Sequence, residues 1–290
     1  MFTKILVATD VSEASDHVIS CLHQLRPLGL KEVVLANALG IKHLDALKYE
    51  LTRLVEPRLL AQKQNLEKQG FAVKIEIGPG LPSYEINRIA EKEKVSLIAL
   101  GTHGMGLTAH LLGGMASEII HSATKPLLII RLIVKEEAGI PCSQPACLDL
   151  GQSLLYATDF SDTAHRAFTY LEKMVESGWK RVTLMHVQDI NRIGTHLEKR
   201  LEEFNKIDRE RLEMLKTKLM EKGAKQVKIA LPYGSPISEI LKETQQDNYS
   251  LIVMGSQGSG FIKEVFLGSV SHNVVRLAAL PILLIPALRQ

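Results

Sequence analysis

Along the chain, runs of Val, Ile and Leu four to seven residues long alternate with longer segments in which apolar residues recur at helical spacing. The runs are almost wholly apolar rather than alternating, which is how parallel strands covered on both faces read. In the segment after "DFSD", Ala164, Phe168, Leu171 and Val175 share one helical face, with Ser161 as N-cap and Asp162 in the first turn. Pro82 and Pro236 stand where a first-turn proline would open a helix. These alternations predict an α/β architecture of five-stranded parallel sheets with helices on both faces and right-handed crossovers.

The pattern is written twice. Lys4–Ser15 matches Ser153–Ala164, Glu32–Leu39 matches Arg181–Gln188, and Gly80–Ile86 matches Gly234–Ile240. Ser96–Gly104 matches Ser250–Gly258, and Lys125–Ile130 matches Leu280–Ile285. The offset grows from 149 to 155 along the chain, which places insertions in the second helix and before the last strand. Two doubly wound domains are expected, 1–133 and 153–290, joined by a linker at 134–152 rich in Pro, Gly and Ser.

Composition narrows the class. At 290 residues, 46% apolar and 23% charged, the chain reads as an ordinary globular protein rather than a disordered one. A net charge of +3 leaves no nucleic-acid footprint, and no apolar run is long enough to span a membrane. The Lys and Arg of the segment His196–Lys222 alternate with Glu and Asp, as on a solvated helix face with i,i+4 pairs. Three cysteines fit a reducing, cytoplasmic setting, with Cys142 and Cys147 read as free thiols in the linker.

The glycines carry the candidate chemistry. With strand order 3-2-1-4-5, a ligand crevice falls beyond the carboxyl ends of the first and fourth strands. Asp10 and Gly101 follow those strands in the first half, Asp159 and Gly255 in the second. Gly255 and Gly258 would bring bare N–H groups to an anion, and Gly268 with Ser269 would open the fourth helix, whose N-terminus favours phosphate. Ser269 and Ser271 add hydroxyl donors. Asp159 is placed for a ribose hydroxyl, or for a Mg²⁺ carried on the phosphates. No P-loop, dinucleotide fingerprint or nucleophile elbow is present.

Gly255-x2-Gly258-x9-Gly268-Ser269, preceded by "ATDFS" and followed by "PILLI", resembles the nucleotide-binding signature of the universal stress protein family. The resemblance implies a cytoplasmic stress-response regulator that binds ATP or AMP, without strong catalytic activity, and is often dimeric. In the second half it implies a site made of Ala157, Thr158, Asp159, Val187, Met254, Gly255, Gln257, Gly258, Gly268, Ser269 and Val270, to which the residue reading adds Ser271. In the first half the matching residues are Ala8, Thr9, Asp10, Ala38, Gly101, His103, Gly104 and Gly114. There the pattern departs at Met115, which replaces Ser269 and cannot donate a hydrogen bond, so the first site is expected to bind weakly, to prefer AMP, or to stand empty.

The resemblance also implies edge-to-edge pairing of the final strands, making the two domains a pseudo-dimer on which a second chain or a regulatory protein could dock. No direct metal site, nucleic-acid partner or membrane partner is expected. Neither Lys263, on the spacer, nor His103, whose counterpart is Gln257, is assigned a catalytic role. Two readings stand beside the regulator: a slow ATPase or self-phosphorylating enzyme, and an interaction scaffold holding another small ligand.

Overall fold

A computed structural model describes residues 1–40, 45–102, 114–137, 140–145, 149, 152–190, 200–258 and 267–287. It contains two compact units, one built on Met1–Leu148 and one on Asp149–Leu288.

In the first unit the strands are β1 (Lys4–Ala8), β2 (Glu32–Ala38), β3 (Ala72–Gly78), β4 (Ile98–Thr102) and β5 (Leu127–Glu137). They pair in parallel in the order β3-β2-β1-β4-β5. The helices between them are α1 (Glu13–Cys21), a 3₁₀ segment (Leu22–Leu28), α2 (Asp45–Lys68), α3 (Pro82–Lys92) and α4 (Gly114–Ser122).

The second unit repeats this with β7 (Ser153–Ala157), β8 (Arg181–Met185), β10 (Gln226–Ala230), β12 (Tyr249–Gly255) and β13 (Ile282–Ile285). Their parallel order is β10-β8-β7-β12-β13, again third-second-first-fourth-fifth. Its helices are α5 (Asp162–Glu176), α6 (Leu201–Glu221), α7 (Pro236–Glu243) and α8 (Ser269–Leu277). A short parallel pair, β9 (Gln188–Asp189) with β11 (Tyr233–Gly234), extends the second and third strands.

The expected local signals act as read. Ser161 caps α5, its Oγ accepting from Ala164 N at 3.2 Å, and Ser12 caps α1 by accepting from Ser15 N. Pro82 and Pro236 are the first residues of α3 and α7. The central strands are buried along almost their whole length because helices cover both faces. Ala164, Phe168, Leu171 and Val175 are all buried, Phe168 packing on Tyr156 with ring centroids 5.6 Å apart. Removing such an aromatic ring from a core costs about 3–5 kcal/mol. Burial also raises the Tyr156 phenol well above its ordinary range, and its hydroxyl donates to Ala164 O at 2.7 Å.

Three features differ from the expectations. The segment read as linker is partly sheet: β5 runs on to Glu137 and pairs antiparallel with β6 (Ile140–Pro145). Pro141 and Pro145 lie four residues apart, so the N–H each lacks falls on one side of β6, as a strand edge permits. Cys21, at the buried end of α1, is disulfide-bonded, and in a chain of three cysteines its partner is Cys142 or Cys147, which corrects the reading of both as free thiols. The ion pairs along α6 and its N-terminus, Arg200–Glu203, Arg211–Asp208 and Lys216–Glu213, are spaced i,i+3 rather than i,i+4.

Candidate functional site

The carboxyl ends of β7 and β12 bring together the two segments singled out by the sequence. After β7, Thr158 Oγ1 accepts from Phe160 N at 3.0 Å and Asp159 Oδ1 accepts from Ser161 N at 3.1 Å. These bonds turn the chain sharply into α5 and leave Phe160 left-handed, at φ +60°. The first half repeats the turn: Thr9 Oγ1 accepts from Val11 N at 2.9 Å, Asp10 Oδ1 accepts from Ser12 N at 3.1 Å, and Val11 has φ +56°. A left-handed backbone at a β-branched or bulky residue is uncommon and strained, and here it recurs at equivalent places, on Val11 and Phe160.

The glycines of the second half have distinct jobs. A Cβ on Gly258 would lie 2.5 Å from Asp159 Oδ2, so only glycine leaves that carboxylate where it is. A Cβ on Gly255 would lie 3.0 Å from Thr163 C and 3.1 Å from Ala164 N, so this glycine admits the start of α5 against β12. Close helix–strand packing is thus a demand on this glycine beside the amide role expected from the sequence. Gly268 is the N-cap of α8, and Ser269, the first helical residue, is exposed. The unpaired amides of that helix start, together with the Ser269 hydroxyl, offer donors to an anion.

Ser271 behaves otherwise than expected. It is buried, and its hydroxyl donates to Ser256 O at 2.5 Å, with Gly268 O at 3.0 Å as a second acceptor. Gly268 N also donates to Ser256 O, at 2.7 Å. The hydroxyl proton of Ser271 is therefore committed to closing the loop, and the expectation that it donates to a ligand is corrected. Ser256 and Gln257 form the other end of this closure, and Ser161 Oγ lies 3.4 Å from Gln257 O. Met254 and Ala157 are buried at the ends of their strands, while Val270 is half-buried in the first turn of α8.

Val187 lies just beyond β8. Thr158 N donates to Met185 O, His186 N to Ala230 O and Gln188 N to Pro232 O. Backbone groups alternate in direction along a strand, so those of Val187 turn to the β7 side, where the chain has already left for α5. Ala38 has the same place in the first half, since Thr9 N donates to Ala36 O and Leu39 N to Gly78 O.

Sequence reasoning missed the residues lining this end of the second crevice. His186 Nδ1 donates to Thr158 O at 2.8 Å, and its ring lies 4.6 Å from that of Phe160. Asp208 on α6 faces His186 Nε2 at 3.6 Å, Arg211 Nη1 at 3.7 Å and Gln188 Nε2 at 3.1 Å. In the first half Asn37 takes the place of His186: Asn37 Nδ2 donates to Thr9 O at 2.8 Å and Thr9 Oγ1 to Gln62 Oε1 at 2.9 Å. Aligning the repeat pairs Asn37 with His186, which is the one signal that could have found them.

The two aspartates also differ. Asp10 Oδ1 accepts from the hydroxyls of both Ser12 and Ser15, the latter at 2.7 Å, besides Ser12 N. In the second half Ala164 replaces Ser15, and Ser161 Oγ points to Gln257 O. Gly101 is the last residue but one of β4 and Gly255 the last of β12, whereas Gly114 at the start of α4 has open space where a Cβ would stand. His103, Gly104 and Lys263 lie outside the described residues. No cluster of potential metal ligands is found among the described residues, and none of their helices is long and apolar enough to cross a membrane.

The model of the Universal stress protein family matches residues 1–131 and again 152–286. Universal stress protein MJ0577 of Methanocaldococcus jannaschii is 33% identical over 153 residues, covering 46% of this chain and 94% of that protein. Universal stress protein YxiE of Bacillus subtilis is 31% identical over 144 residues, covering 46% of this chain and 97% of that protein. Each relative therefore matches one repeat. A universal stress protein from Archaeoglobus fulgidus shares the fold along the whole chain, with a TM-score of 0.73 at 24% identity over 97% of this chain and 95% of that one.

Proposed function

Because the chain belongs to the universal stress protein family and carries its domain twice, we propose that it is a stress-response regulator that binds an adenine nucleotide, ATP or AMP, chiefly in its second half. The observation that carries this reading is the cradle between β7 and β12. Gly258 yields its side-chain space to the Asp159 carboxylate, and α8 opens on Gly268 with Ser269 exposed. Such a place suits a polyphosphate, whose oxygens accept from amides and a hydroxyl at a helix N-terminus.

The base and sugar have their own donors and acceptors. The backbone of Val187 faces the gap left by β7 and can read the edge of a purine. Asp159 can accept from a ribose hydroxyl, or hold Mg²⁺ through its hydration shell. A Mg²⁺ bound with the nucleotide would neutralise phosphate charge, and Asp159 is the carboxylate placed nearest to serve it.

Two asymmetries favour the second half. Asp10 accepts from the hydroxyls of Ser12 and Ser15, whereas the counterpart of Ser15 is Ala164, which has no hydroxyl to offer Asp159. Met115 brings a thioether where Ser269 brings a hydroxyl, at a cost of about 0.5–1.5 kcal/mol per lost hydrogen bond and more toward a charged phosphate. The protein binds and signals through conformation or through a partner rather than by turnover.

Calorimetric titration of the full chain with ATP and AMP, with and without Mg²⁺, tests the reading. One strong site and one weaker site are expected, the strong one abolished by Gly258→Asp. A chain that binds neither nucleotide, and gains no thermal stability at millimolar ATP, would overturn it. Steady phosphate release that Gly258→Asp abolishes would favour the enzyme reading.

A further inference from the structure

Arg58 on α2 and Arg211 on α6 occupy equivalent places in the repeat. Each lies twelve residues before the left-handed glycine that follows its helix, Gly70 at φ +82° and Gly223 at φ +99°. Both reach the left-handed residue behind a site aspartate, by different chemistry. Arg58 Nη1 donates to Val11 O at 2.7 Å. The Arg211 guanidinium sits over the Phe160 ring, 5.1 Å from its centroid, with the His186 ring 4.6 Å away. Asp208 steadies that stack by facing both Arg211 and His186.

The local bonds of the turn come from Thr9 and Asp10, or Thr158 and Asp159, within the same few residues. They leave the left-handed backbone of a non-glycine residue to be held against relaxation. The arginines supply restraint from a separate element. One uses a charge-assisted hydrogen bond and the other a cation–π contact on a stacked ring.

We propose that Arg58 and Arg211 are positioning residues: each clamps the residue after the site aspartate, Val11 or Phe160, and so aims the Asp10 or Asp159 carboxylate into its crevice. For Asp159 the consequence for ligand rests on the nucleotide reading above; the clamp itself does not. The competing account is that both arginines are only solvated helix charges, Arg211 serving its i,i+3 pair with Asp208.

Backbone amide exchange in the ligand-free full chain separates these accounts. The amides to follow are Val11 and Ser12 in Arg58→Ala, and Phe160 and Ser161 in Arg211→Ala. Exchange at least tenfold faster at those amides is expected, with little change in the thermal midpoint and with recovery in Arg58→Lys and Arg211→Lys, which keep the cation. Arg211→Ala should also weaken ATP binding threefold to tenfold. Unchanged exchange overturns the clamp, and faster exchange with unaltered ATP affinity overturns its aiming of the Asp159 carboxylate. Faster exchange in a chain whose wild type binds no ATP would retain the clamp and remove the nucleotide reading.

Discussion

Asp159 and Gly258 meet across the crevice from the ends of different strands, with Asp159 Oδ2 standing 2.5 Å from where any Cβ at position 258 would be. The smallest side chain should therefore suffice to disturb the site. Gly258→Ala is expected to push the carboxylate away from Ser161 N and weaken ATP binding about tenfold, or roughly 1.4 kcal/mol. The fold should survive, because the clash is with the far end of a side chain. Calorimetry paired with thermal unfolding reads both quantities.

Two serines two residues apart should separate stability from affinity. Ser271→Ala removes a buried donor to Ser256 O and should cost about 1 kcal/mol of stability. Ser269→Ala touches an exposed hydroxyl and should leave the unfolding midpoint unchanged while weakening ATP several-fold. Chemical denaturation and calorimetry on both variants check the contrast. Equal effects on affinity would remove the distinction.

The first half should be repairable. Ser15→Ala takes one hydroxyl from Asp10, and Met115→Ser restores the missing donor at the start of α4. The double variant is expected to raise nucleotide stoichiometry from about one strong site toward two, with a gain of about tenfold at the first site from a recovered hydrogen bond to phosphate. Titration against the Gly258→Asp background isolates that site.

Acid sensitivity should concentrate at Glu93. Hydrogen bonds from Lys4 first and Lys74 second hold this nearly buried carboxylate far below its ordinary value of 4.5, at about 2. The depressed value means that its contribution is present above the unfolded-state pKa and is lost as pH falls from about 4.5 to about 2. Both lysines are partly solvated, so Glu93→Gln should cost on the order of 1 kcal/mol at pH 7. The gap from wild type should close by about pH 2, as urea unfolding across a pH series would show.

The repeat, the strand order and the helix starts were legible because each is a local pattern: an apolar run, a proline at a first turn, a serine before an amphipathic stretch. Gly258 and Gly268 were legible as special positions for the same reason. What was not legible depends on groups distant in sequence. Gly255 is glycine because Thr163 and Ala164 approach it from another element, and Ser271 turns inward to a carbonyl fifteen residues earlier. The assembly of Phe160, His186, Asp208 and Arg211 joins a loop, a strand end and a helix, with no motif spacing to announce it. The β5–β6 hairpin was hidden by two prolines that mark a linker in composition yet sit without conflict on one side of a strand.

The closure at Ser256 O has a consequence for how the chain can diverge. Gly268 N and Ser271 Oγ fasten the exit of the spacer to its entrance, so the two termini of that excursion keep their separation whatever is written between them. Doubling the length of a tethered excursion costs only about 0.6 kcal/mol in closure entropy. Sequence changes between Gly258 and Leu267 should thus leave the start of α8 in register with the end of β12, so the chain can vary there without unseating that helix.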